Sequence, residues 1–136
     1  MKTRKSKFLS LFLVLAMVCS LFGTAMAAEE TKAESGDIVI LHTNDVHGAT
    51  GEYAKVAALK AQYEAQGDYV LLVDAGDFIQ GDPTVNISKG ATAIELMNLA
   101  GYDLAVPGHH EFDHGYENLK TIIAEANFPI LAANIN

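Results

Sequence analysis

Three short apolar runs constrain the fold of this chain more than any other feature: Ile38-Val39-Ile40-Leu41, Tyr69-Val70-Leu71-Leu72-Val73 and Leu104-Ala105-Val106. Each gives way to a cluster of polar residues and glycine. The first surfaces in His42-Thr43-Asn44-Asp45-Val46-His47-Gly48 and the second in Asp74-Ala75-Gly76-Asp77. The third surfaces in Pro107-Gly108-His109-His110-Glu111-Phe112-Asp113-His114-Gly115. Buried strands look like this when they emerge at their carboxyl ends and hand their next residues to a site. Open α/β sheets bind ligands at that edge.

The segments between the runs carry helical periodicity. Val56, Leu59 and Tyr63 recur with Lys55, Lys60 and Glu64 between them, and the pattern stops near Gly67. Ala91–Ala100 reads as a largely buried helix around Ile94, Met97 and Leu99, ended by Gly101. Tyr116, Leu119, Ile122, Ile123 and Ala126 mark a third amphipathic helix. Phe78–Gly90 reads as a loop, and Pro129–Ala133 begins a fourth strand. The order β-α-β-α-β-α-β predicts an α/β fold on a parallel or mixed sheet. The unbroken Tyr69–Val73 run predicts a strand covered on both faces. Parallel strands would bring the three polar loops to one edge.

The first 27 residues stand apart. Lys2, Arg4, Lys5 and Lys7 form a positive start, Phe8–Gly23 is almost continuously apolar, and Ala25-Met26-Ala27 is a small-x-small cleavage pattern. These are the parts of a bacterial-type signal peptide. The apolar run is short for a bilayer span, and Val18 before Cys19 argues against a lipoprotein anchor. The expectation is an exported protein, extracellular, periplasmic or on the cell envelope, with no stable membrane anchor. Residues 28–36 read as a flexible leader and 37–136 as the folded unit. Cys19 is the single cysteine and would leave with the signal peptide, which excludes disulfides and thiol chemistry.

Beyond residue 27 the chain keeps five Lys/Arg against all seventeen acids, a net charge of −12 at pH 7. Such acidity argues against nucleic acid or anionic membrane as a partner. A substrate that carries phosphate would then need bound cations to attract it. Asp45 and His47 suit that need: a carboxylate oxygen and an imidazole nitrogen, one residue apart on irregular backbone. This mixed donor pair favours a divalent transition metal over calcium or magnesium. One Asp-x-His triplet is an ordinary polar loop, but three such loops at the ends of successive strands form a constellation.

On these residues the chain resembles the exported 5′-nucleotidase branch of the calcineurin-like metallophosphoesterases, from about Ile38 to its end. Leu-His-Thr-Asn-Asp-Val-His-Gly at 41–48 is similar to that family's first motif, and Asp-Ala-Gly-Asp-Phe-Ile-Gln-Gly at 74–81 to its second. Gly-His-His-Glu-Phe-Asp at 108–113 is similar to its third, normally Gly-Asn-His-Glu-Phe-Asp. The resemblance implies the N-terminal part of a metallophosphoesterase α/β sandwich holding two divalent ions, zinc, manganese or similar. It implies that Asp45 and His47 hold the first metal, that Asp77 bridges both, and that position 109 belongs to the second. His110 and Asp113 would form a catalytic pair beside the scissile phosphate, the histidine stabilising developing charge or protonating the leaving oxygen. The implied activity is phosphoester hydrolysis on a nucleotide or another small phosphoester.

Two departures shape the expectation. The family's asparagine is His109 here, so a longer nitrogen donor replaces a short amide oxygen. The metal-binding histidines of later motifs and the C-terminal substrate-binding domain do not occur within 136 residues, and no helix follows the fourth strand to cover it. The chain therefore reads as the front part of a longer protein or the product of a broken gene. Within the family, hydrolysis of a cyclic phosphodiester, a nucleotide-sugar or a sulfur ester stays open. So does a remnant that only binds metal. A dinucleotide-binding fold fits the element order but lacks a Gly-x-Gly-x-x-Gly after the first strand.

The remaining polar residues have plainer readings. His42 is expected to pack at its strand end, Asp74 to bond the turn before Asp77, and Asp82 to serve the turn at Pro83. Glu111 is expected to orient the third loop through backbone amides, and His114 to be exposed.

Overall fold

The computed structural model describes residues 36–133. The expected signal peptide and all but the last residue of the leader lie outside the described residues. The elements are β1 (Ile38–Thr43), α1 (Thr50–Glu64), β2 (Tyr69–Asp74), α2 (Pro83–Ile87), α3 (Ala91–Ala100), β3 (Leu104–Ala105), a 3-10 turn (His110–Phe112) and α4 (Tyr116–Glu125). The three strands form one parallel sheet in the order β1-β2-β3. Alternating strands and helices yield that sheet because a parallel pair needs a crossover, and a helix supplies it.

The register sets up the site. Thr43 pairs with Asp74, and Asp74 with Ala105, so the three strands finish level. All three polar loops therefore leave the sheet at the same edge, as the order of elements predicts.

The core lies between the sheet and its helices. Leu72 of β2 is fully buried against Phe78, Ile79 and Val85 of the following loop and α2, with Ile94 and Met97 of α3 and Ile122 of α4. Gly90 and Gly101 bracket α3 in left-handed backbone, and the Gly101 N–H bonds the Asn98 carbonyl.

Several expectations are corrected. β2 is covered on one face only among the described residues: Leu72 is buried, whereas Tyr69 and Leu71 are exposed beside Ile38 and Ile40 of β1. A continuous apolar run states that both faces can be buried, not that a given stretch of chain covers them. His42 shares that open face and is exposed rather than packed. Phe78–Gly90 contains a helix, α2, that starts with Pro83 in its first turn and has the Asp82 carboxylate accepting the Thr84 N–H at 2.8 Å. Proline at the start and aspartate as the cap are good helix signals that a short apolar content conceals.

Further along, α1 begins at Thr50, ahead of the first periodic residue Val56, and its buried residue is Tyr53. Leu99 is exposed, because α3 turns Ile94 and Met97 inward. The fourth strand is reduced to a single parallel bridge between Ala105 and Ile130.

Candidate metal centre

The first two loops are laced together by backbone. Ala75 N–H donates to the Thr43 carbonyl at 2.8 Å, Asp45 N–H to Gly76 at 2.9 Å, His47 N–H to Asp77 at 3.0 Å and Gly48 N–H to Phe78 at 3.2 Å. The pairing of β1 with β2 thus continues past the strand ends in irregular form. Asp45, His47 and Asp77 all have positive φ, at 53°, 47° and 58°. Left-handed backbone is costly for residues with a side chain and persists where surrounding bonds over-determine it. Here it turns three donor side chains away from the alternation of a strand.

The third loop closes on the second through a pair of glycines. A Cβ on Gly76 would stand 2.6 Å from the backbone nitrogen of Gly108. A Cβ on Gly108 would overlap the Asp77 carboxylate and lie 2.7 Å from the Asp77 nitrogen. Only glycine permits this approach, and it brings Asp77 against His109 and His110.

The six expected site residues meet at this edge. Donor atoms of His47, Asp77 and His110 lie within 4.8 Å of one another. Asp45 joins at one side, its Oδ1 3.7 Å from Nε2 of His47, with Asn44 donating to its Oδ2 at 2.7 Å. His109 joins at the other, its Nδ1 3.0 Å from Asp77 Oδ2. The His109 and His110 rings lie 3.9 Å apart between centroids, and His47 meets His110 edge-on at 5.0 Å. Asp113 Oδ2 lies 2.7 Å from Nδ1 of His110. Among the described residues, imidazoles, and neither lysine nor arginine, are the ion-pair partners of Asp45, Asp77 and Asp113. Carboxylates and imidazoles gathered this closely fit a divalent transition cation: the donors are of the right type and near enough to share one ion.

Protonation follows from the neighbours. The Asp113 carboxylate at its side raises the pKa of His110, and the imidazole lowers that of Asp113. Asp74, buried at the end of β2, is pushed up to about 6, chiefly by desolvation; bonds from Thr43 Oγ1 and the Gly76 N–H oppose the shift. It bonds the turn as expected and also reaches Tyr102 through the Thr43 hydroxyl, 2.8 Å from the Tyr102 oxygen. Burial raises the Tyr102 hydroxyl to about 12.

Two residues contribute more than the sequence suggests. Glu111 is fully buried and accepts four backbone N–H groups, from Asp77 (3.0 Å), Phe78 (3.0 Å), Ile79 (3.1 Å) and Gly108 (2.6 Å). Its bonds reach the second loop as well as the third. Its place in the third motif signals the bonds within that loop, and nothing in the sequence signals the reach to the second. Gln80, at φ 72° within the second motif, adds to the larger effect of His110 in lowering the Asp113 pKa. His114 is half-buried rather than exposed, its Nε2 enclosed without a hydrogen-bond partner among the described residues.

Comparison with known proteins places this arrangement. The model of the calcineurin-like phosphoesterase family matches residues 38–134. The chain is 38% identical to a 5′-nucleotidase of Bos taurus over 121 residues, covering 76% of this chain and 21% of that one. It is 39% identical to a 5′-nucleotidase of Vibrio cholerae over 133 residues, covering 88% and 24%. The crystal structure of a 5′-nucleotidase precursor from Thermus thermophilus superposes with a TM-score of 0.66 at 30% identity, over 71% of this chain and 22% of that one. The chain thus spans less than a quarter of the length of these three relatives.

Proposed function

This chain belongs to the calcineurin-like phosphoesterase family, and we propose that it serves metal-dependent release of phosphate from nucleotides, as a secreted 5′-nucleotidase. Its family and relatives are phosphoester hydrolases. One observation carries the reading: three loops separated by some thirty residues each converge, placing His47, Asp77 and His110 donor atoms within 4.8 Å.

In this reading Asp45, His47, Asp77 and His109 hold two divalent cations, zinc or manganese in type, with Asp77 central to the set. Bound there, the cations supply charge to neutralise phosphate oxygens, polarise them and acidify a water. The chain's own net charge of −12 beyond residue 27 offers substrate phosphate no other attraction. Asp113 occupies Nδ1 of His110, so a proton for the leaving oxygen is held at Nε2. The raised pKa of that imidazole keeps it protonated to higher pH than a free histidine.

A second reading has its own observation. His110 belongs to a donor group, with His47 and Asp77, near enough to share one ion, and a ligating histidine commonly gives its other nitrogen to a carboxylate, as His110 does to Asp113. Zinc titration of His110→Ala separates the two. Unchanged zinc affinity assigns His110 to proton transfer, and lost affinity assigns it to the metal.

The function itself is tested by phosphate release from AMP by the full chain with Zn²⁺ or Mn²⁺, against the same chain in EDTA. Release that EDTA abolishes supports the hydrolase. Tight metal binding without release assigns the chain to metal binding alone. Parallel trials with a cyclic phosphodiester, a nucleotide-sugar and a sulfur ester distinguish the related activities. For export, residues 1–27 are proposed to be removed, and amino-terminal sequencing of the extracellular protein should begin at Ala28.

A further inference from the structure

We propose that Glu111 is a positioning residue that presets the metal-holding geometry of Asp77 and His110 by clamping the second and third loops together. The proposal rests on the metal reading above and goes beyond it by assigning a residue that touches neither metal nor substrate.

Glu111 has no exposed surface. A carboxylate in such a place is costly to bury unless its lone pairs are filled. Its two oxygens are filled by four amides, divided evenly. Oε1 accepts from Phe78 and Ile79, while Oε2 accepts from Asp77 and Gly108. Oε2 alone therefore joins the two loops that Gly76 and Gly108 bring into contact.

Three consecutive amides, 77 to 79, point at one carboxylate, and that requires the chain to bend at Asp77. Its φ of 58° is that bend. The bend aims the Asp77 side chain at the third loop, where Oδ1 receives the His110 N–H at 3.0 Å. Glu111 itself sits in the 3-10 turn with His110 at its start and Asp113 at its end. One buried side chain thus holds Asp77 from its backbone side and carries His110 and Asp113 on its own turn. Residues that orient ligands from behind commonly change metal affinity by roughly 10–100-fold when altered.

Glu111→Gln is the informative variant because it keeps the shape. Its amide retains one acceptor oxygen but turns an NH₂ toward two N–H donors, so one pair of bonds is replaced by opposed donors. In the full chain, zinc titration of Glu111→Gln should show roughly tenfold weaker binding or more, with helical circular dichroism retained. Ile122→Val, a core change away from the site, supplies the control for lost stability and should bind zinc as the unaltered chain does. Unchanged affinity in folded Glu111→Gln overturns the proposal. So does equal weakening in both variants, which would mean that general stability governs binding.

A failure of the metal reading shows separately, as no zinc binding by the unaltered chain. In that case, or if Glu111→Gln does not fold, hydrogen exchange on the metal-free unaltered chain decides. The clamp requires slow exchange at the amides of Asp77, Phe78, Ile79 and Gly108, and free exchange there overturns it.

Discussion

Nδ1 of His109 stands 3.0 Å from Oδ2 of Asp77, while Oδ1 of the same carboxylate accepts the His110 N–H at 3.0 Å. Both oxygens of the acid placed between the loops are therefore engaged by consecutive residues of the third one. A cation at Asp77 must first break the His109 contact, because His109 can serve as a ligand only once its imidazole leaves Oδ2 and turns to the ion. Exposed ion pairs contribute about 0–1 kcal/mol, and the His109 side chain is largely exposed. His109→Asn removes the competitor and supplies a neutral oxygen donor. Zinc binding to the variant should tighten by up to about fivefold, about 1 kcal/mol, and calorimetric titration showing equal affinities would refute the competition.

The contact between His110 and Asp113 predicts a titration shift. The carboxylate raises the imidazole pKa, so the ring keeps its proton until the pH rises through that elevated value. Asp113→Asn leaves a bond partner but removes the charge. The His110 midpoint, followed by NMR on the metal-free chain, should move to lower pH. If hydrolysis uses that proton, its alkaline limb should move the same way.

Gly108→Ala tests the approach of the loops. The added methyl would overlap the Asp77 carboxylate and crowd its backbone nitrogen at 2.7 Å. Overpacking of this kind destabilises by about 1–3 kcal/mol, so thermal melting should fall by several degrees. Zinc affinity should drop with it, because the methyl displaces the ligand itself. A melting temperature equal to that of the unaltered chain would show that the loops part without cost.

Asp74 predicts a pH dependence of stability. Its folded pKa of about 6 lies above the ordinary 3.8, so the folded state binds the proton more tightly than the unfolded one. The favourable contribution is complete below about 3.8 and is lost as pH rises through about 6. Asp74→Asn mimics the protonated acid and can still accept the Gly76 N–H. Its stability relative to the unaltered chain should therefore improve between pH 4 and 7, by up to about 2–3 kcal/mol at 1.36 kcal/mol per pKa unit. Urea denaturation at successive pH values reads the difference, and a constant gap would locate the titration elsewhere.

Much of the architecture is legible in the linear pattern. β1 and β2 start with their apolar runs and end one or two residues past them, and α3 matches its periodic segment from Ala91 to Ala100. Burial along a regular element repeats with the element's own period, so local sequence carries it. The parts that escape depend on distant chain. Leu99 sits in a buried-looking helix yet is exposed, and Tyr69 and Leu71 belong to an apolar strand yet face outward. Hydrophobicity indicates what a residue tolerates, and the packing of other segments settles what it receives. α2 escapes for a different reason: five residues are too few to show a period, and only its proline and aspartate announce it.

The candidate site divides in the same way. The sequence by itself determined the donor inventory, the acidic charge that calls for cations, and the alternation that sends three polar loops to one sheet edge. Tertiary structure alone decided that the strands end level, that Asp45, His47 and Asp77 turn through left-handed backbone, and that Glu111 ties four amides across two loops. Those bonds join residues some thirty positions apart. Their length and direction depend on how whole elements are placed against one another, and no periodicity within a single element encodes that placement.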